Sequence, residues 1–195
     1  MRRFLVSLCF LATLLAPPYA AAQTNEASRS SAQGDGAERL DELFAELRQE
    51  RNEVAARRIA GRIRQEWQRS GGETADLLLQ WAQKAASEQK FHVALDLLDQ
   101  AVVLYPDYVE SWNSRALVHL MMNDFDRAMS DLSRVLAVEP RHFGAMSGLA
   151  GILRVTGNTD RAIELYRRML EIYPMQRSAQ RALLDLADEK TDERL

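Results

Sequence analysis

The sequence holds a single cysteine, Cys9, which lies in an apolar stretch close to the amino terminus. Downstream of it no disulfide can form and no cysteine can bind zinc, so packing alone must hold the rest of the chain together. The three histidines, His92, His119 and His142, are far apart and show no i, i+3 or i, i+4 spacing. Because a metal site needs several converging ligands, we expect no metal ion.

The short motifs that mark common enzyme classes are also missing. The sequence has no G-x-S-x-G elbow, no H-E-x-x-H helix, no P-loop and no dinucleotide fingerprint. We therefore expect no catalytic residue and no cofactor. Carboxylates are plentiful, and two of them converging as acid and base would make an enzyme the least favoured alternative.

A basic surplus is absent as well. The chain has 25 Lys and Arg against 28 Asp and Glu, which argues against a nucleic-acid partner. The densest basic stretch comprises Arg57, Arg58, Arg62, Arg64 and Arg69. Such a strip can contact anionic lipid head groups or an acidic partner. We favour the other interpretation, a solvated helix face balanced by Glu42, Glu46 and Glu50.

Residues 1–22 have the layout of a secretory signal peptide. Arg2 and Arg3 precede an almost entirely apolar stretch over 4–16, and Ala20 and Ala22 form an A-x-A cleavage signal before Gln23. The apolar stretch is shorter than the roughly 20 residues that a membrane-spanning helix needs. We expect export with cleavage near Ala22. An uncleaved segment that anchors the protein in the inner membrane is the alternative.

Residues 23–37 are rich in Ser, Ala, Gly, Asn and Gln and show no periodicity, which predicts a flexible linker. Beyond them the chain has a 34-residue period. Pro106, Pro140 and Pro174 keep this interval, and so do two sets of alanines: Ala82, Ala116 and Ala150, and Ala94, Ala128 and Ala162. Small residues in the middle of each unit and proline at its end are typical of a helix-turn-helix repeat. The units are 75–108, 109–142 and 143–176.

The flanking segments follow the same period less well. Residues 38–74 predict a degenerate helical hairpin that caps the array, since Arg48 and Arg64 stand where a small and a large apolar residue are expected. Residues 177–187 predict a short capping helix, and the charged residues 188–195 predict a frayed tail. The fold class is all-α, a solenoid of helical repeats.

The three units resemble the tetratricopeptide repeat (TPR) family, whose pattern has a large residue at position 4, small residues at 8 and 20 and proline at 32. Position 4 holds Leu78, Trp112 and Met146, and the alanines and prolines named above occupy the other positions. The departures are Trp81 and Arg115 at position 7, and Ala85, His119 and Leu153 at position 11. The resemblance extends to short exported, periplasmic TPR proteins of Gram-negative bacteria.

The resemblance implies that the first helix of each unit lines a concave groove that binds a partner segment. Its positions hold Leu79, Gln83, Asn113, Leu117, Met121, Ser147, Gly151 and Arg154. Glu110 is expected to project into the same groove. Family members that hold the C-terminal carboxylate of cytosolic chaperones use a clamp of Lys, Asn and Arg. That clamp is absent here, since its positions hold Leu79, Gln83, Ser114, Gly144 and Gly148.

Gly144, Gly148 and Gly151 share one face of a predicted helix, although each glycine costs about 0.5–1 kcal/mol relative to alanine there. They predict either a bare-backbone trough for a ligand or close packing on the preceding repeat. Together, these patterns predict a periplasmic, non-catalytic scaffold that binds another envelope protein and supports envelope assembly or integrity. A membrane-surface protein, held by its amino-terminal segment or its arginine strip, is the second hypothesis.

Overall fold

The computed structural model describes residues 36–69 and 72–192, with side chains up to residue 189, and in these ranges the chain is helical without a strand. The helices are α1 (36–49), α2 (Glu53–Gln68), α3 (Glu73–Ser87), α4 (Phe91–Leu104), α5 (Val109–Met121), α6 (Phe125–Val138), α7 (Phe143–Val155), α8 (Thr159–Ile172) and α9 (Arg177–Asp192). This confirms the predicted fold class. None of these described helices is both long and apolar enough to cross a membrane. The predicted signal peptide and most of the predicted linker lie outside the described residues.

The helices α3 to α8 form three consecutive hairpins in the predicted phase. Within each hairpin the two helices pack together, and the second helix of one hairpin packs on the first helix of the next. The two alanine sets lie at these contacts and are fully buried or nearly so. Small side chains there let paired helices approach closely, so they set the spacing of the solenoid.

The turn inside each hairpin has the same backbone conformation. Gln89, Asn123 and Gly157 occupy one repeat position and all have positive φ, of 59°, 58° and 76°. The next residue in each case donates its backbone N–H five residues back, for example from Asp124 to His119. This is the hydrogen bond of a Schellman motif, and it ends the first helix so that the second can fold back.

The hairpin α1–α2 is formed, but it does not extend the array as expected. Its helix α2 lies against α5 rather than along α3. The Tyr108 hydroxyl donates to the Gln68 carbonyl at 2.6 Å, and the Trp67 ring stacks on the His142 ring at 4.1 Å. At the other end of α2, Glu53 pairs with Arg177 at 3.0 Å. The helix α2 therefore crosses the amino-terminal ends of α5, α7 and α9 in succession.

Apolar packing and ion pairs hold this hairpin in place. Its fully buried side chains, Leu47 and Ile63, join one hydrophobic core with the residues of α5 to α9. The guanidinium of Arg141 pairs with Asp41 and lies 4.3 Å from the Phe44 ring centroid. The hairpin buttresses the side of the solenoid, and no helix of the described ranges covers the outer face of the first repeat.

Both ends of the described chain are more helical than the sequence predicted. Residues 36 and 37, which were expected in the linker, belong to α1. The helix α9 continues to Asp192 instead of ending at 187. Glu189 pairs with Arg154 of α7, which explains why the charged segment stays helical. Residues 193–195 lie outside the described part of the chain.

Candidate functional site

The first helices of the repeats, α3, α5 and α7, carry the predicted groove. Their carboxyl-terminal halves are open to solvent. There, Gln83 is exposed, and the apolar side chains of Leu117, Met121 and Val155 are 44%, 57% and 72% exposed. A Cβ added at Gly151 would meet nothing within 4 Å. We call these five residues the open groove.

The amino-terminal half of the predicted groove is closed. Leu79, which was expected to line it, is only 3% exposed and packs with Ala75, Leu98 and Tyr108 in the core of the first hairpin. Tyr108 is anchored by its bond to Gln68. A leucine at this position is therefore part of the core, and the prediction that Leu79 contacts a partner is wrong.

Glu110 is also buried, contrary to the expectation that it projects into the groove. Its Oε1 lies 3.1 Å from His142 Nε2, and its Oε2 accepts a hydrogen bond from Asn113 Nδ2 at 3.0 Å. The other ring nitrogen of His142, Nδ1, accepts the backbone N–H of Ala145 at 2.9 Å and so caps α7. The ring proton must therefore reside on Nε2, which donates it to Glu110.

This network changes the role of two predicted residues. Asn113 is half-buried and holds Glu110 instead of presenting both its donor and its acceptor to a ligand. Arg154 forms ion pairs with Glu189 and Asp185 of α9. The hydrogen bond with Glu189 raises the pKa of the Arg154 guanidinium further. Ser147 is half-buried. Asn113 and Arg154 thus bind carboxylates of this same chain, whereas the side chains of Leu117 and Met121 are exposed to solvent.

The glycine face divides between the two interpretations. A Cβ at Gly148 would come within 3.2 Å of Leu132, and one at Gly144 within 3.2 Å of His142. Leu132 belongs to the preceding repeat, so Gly148 serves close packing on that repeat. Gly144 is exposed, and the group beside it is the N-cap side chain of its own helix. Of these three glycines, an added Cβ meets no atom only at Gly151, which therefore fits best the ligand trough that the sequence suggested.

The structure also has a charged cleft between α2 and α9, which the sequence did not predict. Arg57, Arg177 and Arg181 line a cavity of about 550 Å3 between α2 and α9, with Glu53, Gln180 and Leu184. Glu53 pairs with both Arg57 and Arg177, and Arg62 pairs with Glu46 as the balanced interpretation of the arginine strip expected. Sequence reasoning missed Arg177 and Arg181 because they lie more than a hundred residues from α2, with no local pattern to connect them.

A metal site needs several side chains that converge on one ion. In the described ranges no three His, Cys, Asp or Glu side chains are grouped so that they could hold a metal ion. Of the three histidines, His92 is exposed while His119 and His142 are buried in separate places. The open groove offers an apolar floor with adaptable methionine and leucine side chains. The geometry thus defines a helical-repeat protein with an accessible surface for another chain.

Comparison with known proteins identifies the repeat. A family model described as tetratricopeptide repeat matches residues 79–131 and 118–176. A TPR repeat-containing protein of Rhizobium etli is 43% identical over 185 residues, covering 94% of this chain and 91% of that protein. The chain belongs to the tetratricopeptide repeat family. Since so little of the chain is left out, the Rhizobium etli alignment includes the α1–α2 hairpin.

More distant relatives share the repeat alone. Small glutamine-rich tetratricopeptide repeat-containing protein 2 of Saccharomyces cerevisiae is 25% identical over 97 residues, half of this chain and 28% of that protein. The Sgt2 TPR domain from Aspergillus fumigatus superposes with a TM-score of 0.58 at 19% identity, covering 63% of this chain and 83% of that one. The first TPR of Spaghetti (RPAP3), bound to the HSP90 peptide SRMEEVD, gives 0.57 at 20% identity, covering 60% and 95%. These likenesses show the fold.

Proposed function

We propose that this TPR protein is a non-catalytic scaffold of the bacterial cell envelope and binds a segment of another envelope protein in its open groove. TPR folds are protein–protein interaction scaffolds, and the solved TPR structure with a bound peptide supports a peptide segment as the ligand. The observation that carries the proposal is the exposure of Leu117 and Met121, one turn apart on α5, and of Val155, which holds the repeat position of Met121 on α7. Apolar side chains grouped on a monomer surface commonly mark an interaction site.

The ligand that fits is a short segment with one or two apolar anchors. The buried amino-terminal half of the groove limits its length, since α2 crosses the helices there. The absence of a cationic clamp argues against a ligand held by its terminal carboxylate. Close approach of a ligand backbone is possible at Gly151, where no side chain intervenes.

The first test compares two matched variants in a crosslinking pull-down from the native envelope. Met121→Glu places a charge in the open groove, where Met121 is 57% exposed, and Val103→Glu places one on α4, where Val103 is 77% exposed. Since a few anchors carry most of an interface's binding energy, we expect Met121→Glu to lose the captured protein and Val103→Glu to keep it. Circular dichroism should show unchanged helicity in both. Equal capture by Met121→Glu and the unmodified chain would contradict the proposal.

Export is part of the proposal and rests on the layout of residues 1–22. A second candidate, attachment to the inner-membrane surface, is favoured by the three arginines of the α2–α9 cleft. The mass of the mature amino terminus tests whether an uncleaved segment anchors the protein, because cleavage after Ala22 leaves Gln23 first and removes the apolar stretch. Sedimentation with anionic vesicles, lost on Arg177→Glu with Arg181→Glu, would support the membrane candidate instead.

A further inference from the structure

The faces that join neighbouring repeats can be compared position by position. On α5 and α7, the face toward the preceding repeat is buried: Ser111 and Ala145 are 0% exposed, Val118 is 3% exposed and Ile152 is 2% exposed. Arg115 belongs to this face and bridges two layers, since it pairs with Asp99 of the preceding hairpin and with Asp131 of its own. These residues show what this face looks like when a helical layer covers it.

The same positions on α3 are open. Leu77 corresponds to Ser111 and Ala145, and it is 42% exposed. Trp81 corresponds to Arg115 and is 52% exposed, and Lys84 corresponds to Val118 and is exposed. A tryptophan and a leucine in water, at positions that are covered in the later repeats, mark a stacking face that lacks its layer.

Neither end of the described chain supplies this layer. The α1–α2 hairpin, which the sequence placed there, crosses α5, α7 and α9 instead. The opposite end of the solenoid is covered by α9, which packs on α8. The large exposed apolar side chain of α9 is Leu184, and it lines the cleft against α2. A head-to-tail stack would therefore find no matching apolar face.

We propose that a second copy of this chain covers the outer face of α3, so that two molecules pair through the same surface. A pair related by a twofold axis buries both open faces at once and stops at two. The face suits self-pairing because charges of both signs surround its apolar centre. Exposed charges of both signs lie on α3, on α4 and in the turn between them: Lys84, Lys90, Glu73 and Asp96, with Lys90 paired with Glu88 of its own chain. Opposite charges can therefore meet across the axis. Trp81 lies in the middle of α3, where the axis would pass.

The size of the face predicts a weak pair. The 15 residues of α3 extend about 22 Å, and two adjacent helices are roughly 20 Å wide. A footprint of about 400 Å2 per copy falls below the roughly 800 Å2 per partner of a standard stable interface. The dimer should therefore form at micromolar concentrations and dissociate on dilution.

Sedimentation equilibrium of the purified chain over roughly 1–500 µM tests this. We expect the average mass to rise from one chain toward two. Trp81→Glu should weaken pairing at least about thirtyfold, as expected for a central aromatic anchor. Leu184→Glu alters another exposed apolar residue and should leave pairing unchanged. A wild type that stays monomeric throughout, or a helical Trp81→Glu variant that still dimerises, would overturn the proposal.

A crosslink gives an independent result. In a Cys9→Ser background, Gln80→Cys places a thiol beside Trp81 on the exposed face of α3 and should yield a disulfide-linked dimer on oxidation. Leu184→Cys should not. Dimerisation abolished by Met121→Glu would place the contact in the open groove and overturn the proposal. The outer face of α3 and the open groove are separate surfaces, so the Trp81→Glu variant should still capture the partner of the open groove. Either proposal can therefore fail without the other.

Discussion

The turns inside the three repeats share one left-handed backbone position, yet three different residues occupy it. Glycine adopts this conformation without strain at Gly157, and asparagine tolerates it at Asn123. Gln89 has neither advantage, and it is held in place because the Schellman bond from Lys90 to Ala85 requires this geometry. The first repeat therefore stores backbone strain that the third does not.

Exchanging residues at this position should change stability in opposite directions. A left-handed backbone conformation costs a residue other than glycine about 1–2 kcal/mol. Introducing glycine removes this cost, but the greater freedom of glycine in the unfolded chain offsets part of the stability gained. We expect Gln89→Gly to raise the free energy of unfolding by about 0.5–1 kcal/mol, and Gly157→Gln to lower it by a similar amount. Urea denaturation measures both. A destabilised Gln89→Gly variant would contradict the turn geometry.

His119 makes stability depend on pH. Burial lowers its pKa, while Asp131 and Asp124 act in the opposite direction and Arg115 and Arg127 add to the lowering. The unfolded chain therefore binds a proton that the folded chain does not. This contribution to stability is complete above about pH 6.5 and is lost as the pH falls toward the folded-state pKa.

His119→Gln removes this titration and keeps a polar side chain. We expect the stability of the wild type relative to His119→Gln to decrease as the pH falls from 7 to 5. Urea denaturation at each pH gives this difference in the free energy of unfolding. Carboxylates that titrate in the same way in both proteins do not contribute to the difference. A difference that stays constant or grows as the pH falls would show that His119 is protonated in the fold.

At the scale of helices, the position of the α1–α2 hairpin separates this structure from a simple array. If α2 crosses the start of α9, cysteines at positions 53 and 177 should be joined by a short thiol crosslinker, since the Glu53 and Arg177 side chains are 3.0 Å apart. We therefore expect rapid intramolecular crosslinking of Glu53→Cys with Arg177→Cys in a Cys9→Ser background. Peptide mass spectrometry would locate the link.

The matched control is Arg64→Cys with Leu77→Cys. These positions would be neighbours if α2 stacked on the outer face of α3 as an additional repeat. In this structure Arg64 lies over the Phe143 ring instead, so we expect no crosslink. A reversed result, with the control pair linked and the first pair unlinked, would restore the in-line cap that the sequence predicted.

The sequence predicted the three repeats because every contact within them recurs three times, at fixed spacing and with small residues at the same positions. It could not place the α1–α2 hairpin, whose anchoring ion pairs join residues 100 and 124 positions apart and occur only once. The candidate site shows the same division. Leu117 and Met121 are exposed, but Leu79, Asn113 and Glu110 are buried or engaged by neighbours that no periodic pattern reveals.

At the scale of the whole molecule, three repeats are covered by α9 at one end and braced along one side by the α1–α2 hairpin. On the part of the chain that the structure describes, we propose the open groove and the outer face of α3 as the surfaces for other chains. The groove has apolar side chains beside an unobstructed backbone at Gly151, and the α3 face has Trp81. Their separation allows one molecule to hold a partner while paired with another copy.

The most direct test of the open groove is a photocrosslinking residue placed at Met121 or Val155 in the protein inside living cells. The matched control positions are Val103 and Val138, which are exposed on the second helices of the repeats. We expect both groove positions to give an adduct with the same partner and both control positions to give none. Adducts from Val103 or Val138 with none from Met121 and Val155 would contradict the proposal that this protein binds its partner in the groove.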